Sequence, residues 1–183
     1  MKNSIISSIL TISILVFTYS CKKDDHNHGD HDSINKVTME LTSASGNLTL
    51  SFEDKDGDGG MAPTIFGGSL KGNTTYTGVI RLYSYHDNQY EEKTSEILSE
   101  GTKHQFFFSS TVAGISFNYT DKDSTNNPIG LASTVKTIGS GTGVIKVILR
   151  HEPNKLAAGV ASGDATNAGG ETDAEMEFPI TVI

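Results

Sequence analysis

Residues 176–182 read Met176-Glu177-Phe178-Pro179-Ile180-Thr181-Val182, with an apolar side chain at every second position. Successive side chains of a strand point to opposite faces, so a period of two buries one face and leaves the other to solvent. The same alternation recurs upstream. Val37, Met39 and Leu41 alternate with Thr38 and Glu40, and Leu48, Leu50 and Phe52 with Thr49 and Ser51. Ile115, Phe117 and Tyr119 repeat it, as do Ile145, Val147 and Leu149. Between these segments lie turn-forming clusters, SASGN, DKDGDGG, SLKGN, DSTNNP and GSGTG. Gly, Asn, Asp and Ser adopt the tight and left-handed conformations that reverse a chain. No window carries a helical stripe of ten residues, although Gln89–Glu100 fits helix or strand. About eight to ten short strands of this kind predict an all-β fold, a single antiparallel β-sandwich, Ig-like or related, over residues 36–183.

The first 20 residues have a different character. They carry one charge, Lys2, then an apolar stretch from Ile9 to Phe17, then Thr18, Tyr19 and Ser20. That is the layout of a secretory signal peptide, with an apolar region too short to span a bilayer. Cys21 follows at once and is the only cysteine, so no internal disulfide can form. The expectation is a bacterial lipoprotein, cut before Cys21 and acylated there, with palmitate as a suitable label. The alternative is a secretory leader followed by a stray cysteine. Cleavage leaves 163 residues, residues 21–183, enough for one cored domain. Losing Lys2 takes the basic count from 14 to 13 against 22 acidic residues, a net charge of −9. That sign argues against nucleic acid and anionic headgroups as partners. The expected membrane contact is the lipid alone.

Residues 21–35 continue with Lys22-Lys23-Asp24-Asp25 and His26-Asn27-His28-Gly29-Asp30-His31-Asp32, with no apolar side chain before Ile34. Such a segment buries nothing and reads as a disordered tether. The Cys-Lys-Lys-Asp-Asp start resembles the export signal that carries Bacteroidetes lipoproteins to the outer face of the outer membrane. His26, His28 and His31 form an H-x-H-x-x-H cluster, and neutral imidazoles suit zinc or copper. A solvated polar spacer is the other reading.

Three further groups bear on chemistry. Asp54, Asp56 and Asp58, followed by Gly59, match the first half of an EF-hand-type calcium loop, where alternate carboxylates converge on a hard cation. The twelfth position is Ile65, where a bidentate acid belongs, so calcium binding and a plain Asp/Gly turn both stand. Asp121-Lys122-Asp123 echoes the pattern. His104 shares parity with Phe106 and Phe108, and His151 with Ile145, Val147 and Leu149. Each imidazole is therefore expected at a strand end on the apolar face, as a ligand together with Glu152 or as a bonded rim residue. Glu171, Asp173, Glu175 and Glu177 are expected on the face opposite Met176, Phe178 and Ile180, as a solvated acidic stripe. No G-x-S-x-G, H-E-x-x-H or phosphate-cradling motif is present.

Several stretches carry a family resemblance: EDKDGDGGMAP at 53–63, LKGNTTYTGVIRL at 70–82, HQFFF at 104–108, NYTDKDSTNNPIGL at 118–131, VILRHEPNK at 147–155 and AGGETDAEMEF at 168–178. In these the chain resembles small flavobacterial lipoproteins labelled "type 1 periplasmic binding fold superfamily protein". The fold in that label is a large two-lobed α/β molecule, while these residues read as sheet. The resemblance implies a companion of TonB-dependent outer-membrane receptors that captures a nutrient or metal. The expected function is thus a non-catalytic, surface-exposed lipoprotein that binds a metal ion or small ligand. The alternative is a structural or adhesive module stabilised by calcium.

Overall fold

The computed structural model describes residues 33–57 and 60–183. The leader, Cys21, the tether histidines His26, His28 and His31, and Asp58 lie outside the described residues. In chain order the strands are β1 (Lys36–Ser43), β2 (Gly46–Glu53), β3 (Thr64–Phe66), β4 (Gly68–Leu70), β5 (Thr74–His86) and β6 (Gln89–Glu92). A short helix α1 (Thr94–Ser99) precedes β7 (His104–Ser110), β8 (Ile115–Tyr119), β9 (Ala132–Thr137), β10 (Gly141–His151) and β11 (Glu171–Val182). The ambiguous window 89–100 is split between β6 and α1, a strand and then a helix.

One sheet has the order β3-β2-β1-β5-β9-β8, with β6 folded back on β5; the other is β4-β11-β10-β7. Neighbouring strands are antiparallel throughout, except that β4 runs parallel to β11. The alternating apolar sets meet between the sheets. Val37, Met39, Leu41, Leu50, Ile80, Leu82 and Val135 from the first pack in one buried cluster with Leu70, Phe106, Ile145, Val147, Leu149, Phe178 and Ile180 from the second. Each such side chain taken out of water contributes about 1.5–3 kcal/mol. The all-β sandwich expected from the period of two is the fold observed.

Among the described residues eleven strands form where eight to ten were expected, because residues 64–70 supply two short strands to different sheets. The chain crosses over at Gly67, where an added Cβ would collide with the Pro179 carbonyl. Composition assigned Asn35 to the tether, yet it is buried and bound into the domain. Its Nδ2 donates to the Asp54 carbonyl at 2.9 Å, and its Oδ1 accepts from the Tyr85 amide at 2.9 Å.

The outer face of β7 and β10 is covered as well. Residues 152–170 fold over it as a strap with two 3-10 turns, Val160–Ser162 and Ala165–Asn167. Val160 and Ala168 of the strap pack on Phe107, with Ile148 alongside. A strand buried on both faces reads as a continuous apolar run, which is why HQFFF lacks alternation. The strap is fastened by Lys155, whose ammonium donates to Asp123 Oδ2 at 2.9 Å, to the Pro128 carbonyl at 2.8 Å and to the Gly101 carbonyl.

Candidate metal centre

His104 opens β7 and His151 closes β10, and the antiparallel register sets them directly opposite each other. Their rings stack with centroids 4.9 Å apart and planes 14° from parallel. His104 is fully buried, whereas His151 is partly open to solvent. The third member comes from β11. Leu149 pairs with Ala174 but Arg150 pairs with Thr172, so Asp173 is an extra residue, a β-bulge. A bulge re-aims a side chain and bends its strand. Asp173 Oδ2 thereby reaches to 3.4 Å from His104 Nε2, and its Oδ1 to 3.9 Å from His151 Nδ1. Asp173 is exposed, as expected of the acidic stripe, but its carboxylate is turned to the two histidines, which the stripe reading did not foresee. Strict alternation would have aimed it away from them, and the bulge breaks the alternation.

One ligating atom from each of His104, His151 and Asp173 lies within 4.8 Å of the other two. On a tetrahedral ion with bonds of about 2.05 Å, two donor atoms stand about 3.3 Å apart. The His104–Asp173 pair already has that spacing, whereas His151, stacked on His104, has to turn its ring to present a nitrogen to the same ion. The tautomer of His104 is set from behind. Its Nδ1 lies 3.2 Å from the carbonyl oxygen of Glu100, the residue that caps α1. A carbonyl only accepts, so Nδ1 carries a hydrogen and Nε2 is the ring nitrogen turned toward Asp173. A proton or a metal ion between that nitrogen and the carboxylate would join the two. Backbone support of the far ring nitrogen is the usual companion of a ligating histidine.

Glu152 does not join this group. It sits exposed just past β10 with φ of 49°, its amide donating to the Lys103 carbonyl at 2.6 Å. Of the rest of the acidic stripe, Glu175 is paired with Lys146 at 2.5 Å, which offsets the repulsion expected along that face. The bond to Glu175 also raises the Lys146 pKa. Asp173 was missing from the sequence-derived ligands because no local signal marks a bulge. Its cross-strand position could be found only by pairing β10 with β11.

The acidic loop is organised by its own backbone. Asp54 Oδ1 accepts from the Gly57 amide at 3.0 Å and Asp56 Oδ2 from the Met61 amide at 2.8 Å. The Met61 bond holds the Asp56 carboxyl below its ordinary pKa. The Asp121-Lys122-Asp123 echo is structural too. Asp121 accepts from the Gly130 and Ala132 amides, and Asp123 from Thr125, Asn127 and Lys155.

A cleft of about 420 Å³ adjoins the histidine cluster through Asp173. It lies between the start of the domain, the acidic loop and β11, and is lined by Asn35, Phe52, Asp54, Thr172, Glu175 and Met176 among others.

No family model, curated protein or solved structure matches this chain.

Proposed function

We propose that this protein is a lipid-anchored lipoprotein of the outer-membrane surface that captures a divalent transition ion, zinc or copper, without catalysing a reaction. His104, His151 and Asp173 are the ligands, and a TonB-dependent receptor in the same membrane is the recipient. The observation that carries the reading is the convergence of two imidazoles and one carboxylate within 4.8 Å. Nitrogen donors select zinc and copper over calcium or magnesium. Three protein donors leave part of the ion's coordination open, which suits an ion that is taken up and handed on. The leader, the anchor cysteine and the family resemblance support the membrane setting. In the rival reading, calcium stiffens the acidic loop of a structural module. Backbone amides already hold Asp54 and Asp56 in place, so the histidine cluster is the better seat of function.

Zinc titration of the mature protein, followed by calorimetry, tests this. His151→Ala and Asp173→Asn should each weaken zinc binding beyond the about ten- to hundredfold typical of losing an outer-sphere partner. Alanine at His26, His28 and His31 together should leave the tight site intact. The opposite pattern, with affinity lost in the tether variant and kept in the other two, would move the site to the tether.

A further inference from the structure

We infer that the captured ion is the anchoring point for a small organic ligand in the adjoining cleft, an amine-bearing chelator of the amino-acid class bound through the metal. This rests on the metal reading above. Asp173 belongs to both features, a ligand in the histidine cluster and part of the wall of the 420 Å³ cleft. That volume lies within the range of small-molecule sites. His104 is fully buried, so the exchangeable positions of an ion there lie toward the partly open side formed by His151 and Asp173.

The lining decides the chemistry of the guest. No lysine or arginine lines the cleft among the described residues, while Asp54, Asp173 and Glu175 do. A guest carboxylate would find no cation on the protein and must ligate the metal. A guest amine is met by Asp54, whose charge faces no basic side chain of the cleft; Glu175 is already engaged by Lys146. Phe52, Ala174 and Met176 supply apolar wall for the carbon skeleton. An α-amino acid with a second nitrogen fits all three demands: its carboxylate and one nitrogen chelate the ion, and its remaining nitrogen lies against the acidic wall.

The probe is radiolabelled L-histidine, with citrate as a chelator that has carboxylates and no amine. Mature protein carrying one equivalent of zinc is dialysed against each, and protein-bound zinc and label are counted. The expected result is that zinc-loaded protein retains both zinc and L-histidine, apo protein retains no L-histidine, and citrate is not retained. Asp54→Asn keeps the turn acceptor for Gly57 and should lower L-histidine retention about two- to fivefold while zinc stays bound. Zinc held with no L-histidine, zinc stripped by L-histidine, or equal retention of citrate would each overturn this inference and leave the metal site standing. Failure to take up zinc at all would overturn the metal reading and this inference with it.

Discussion

Replacing Lys155 by methionine should destabilise the domain by about 3 kcal/mol, at the low end of the about 3–5 kcal/mol for breaking a buried ion pair. The side chains of Lys155 and Asp123 are 5% and 1% exposed, so little water reaches the pair. Methionine keeps most of the volume of the stem, which limits the cavity cost. What remains is an uncompensated carboxylate and two carbonyls, of Gly101 and Pro128, that lose their donor. The carboxylate is not abandoned altogether: Asp123 Oδ1 still accepts from Thr125 N at 2.8 Å, Thr125 Oγ1 at 2.7 Å and Asn127 N at 3.0 Å. Those bonds argue for the lower figure. In a domain of this size the loss corresponds to a Tm lower by about 6–12 °C. Urea unfolding should report the same difference with an unchanged slope. Pairing the change with Asp123→Asn should recover part of the loss, because the two sites share one interaction. A Lys155→Met protein within 1 kcal/mol of the parent, or strict additivity in the double variant, would refute the reasoning.

The pH profile adds a second reading of the same pair. Burial pushes the Asp123 carboxyl up, but Lys155, Thr125 and Asn127 outweigh it and bring the pKa down to about 2. A depressed carboxyl contributes stability that is present above its unfolded pKa of about 4 and is lost as pH falls toward the folded value. Acid should therefore erode the parent between pH of about 4 and about 2 more steeply than Lys155→Met. Lys155 is pushed down by burial, with Asp123 opposing. Between its folded pKa and the ordinary value near 10.4 the unfolded chain binds more protons, so stability rises with pH there. The variant should lose that rise. Since Gly101 lies in the turn that leads into His104, the same substitution should also weaken zinc binding.

Gly170→Ala should cost about 1–3 kcal/mol in urea unfolding, because residue 170 has φ of 69° and an added Cβ would collide with the His151 carbonyl. It should weaken zinc binding as well, since it perturbs the approach to the bulge at Asp173. Calcium at millimolar concentration should leave the Tm of the mature protein unchanged, because amide bonds to Asp54 Oδ1 and Asp56 Oδ2 already order the loop without an ion. A rise of several degrees would assign the loop to a cation that binds only the folded state. Cys21→Ser should abolish palmitate labelling in cells; labelling that persists would end the lipoprotein reading.

Much of the architecture was legible in one dimension because strand burial is a local periodic property. Each alternating set, from Val37-Met39-Leu41 to Met176–Val182, states which face is buried before any partner strand is known. The same parity put His104 and His151 on the apolar face, where they lie. Three features required the folded chain. Asn35 looked like tether because its composition is polar, yet its amide closes hydrogen bonds that exist only once β1, β2 and β5 are assembled. Phe107 and Ile148 have the opposite parity to Phe106 and Leu149, and nothing local announces that residues 152–170 fold back over that face. Asp173 looked like one more carboxylate of the outer stripe because only an inserted residue re-aims it, and an insertion is defined only against the partner strand. By itself the sequence determined the fold class, the buried face and the two imidazoles on it. The register of β7 against β10, and the slip of β11 past it, decided that those imidazoles meet a carboxylate, because pairing is a long-range relation that no single strand encodes.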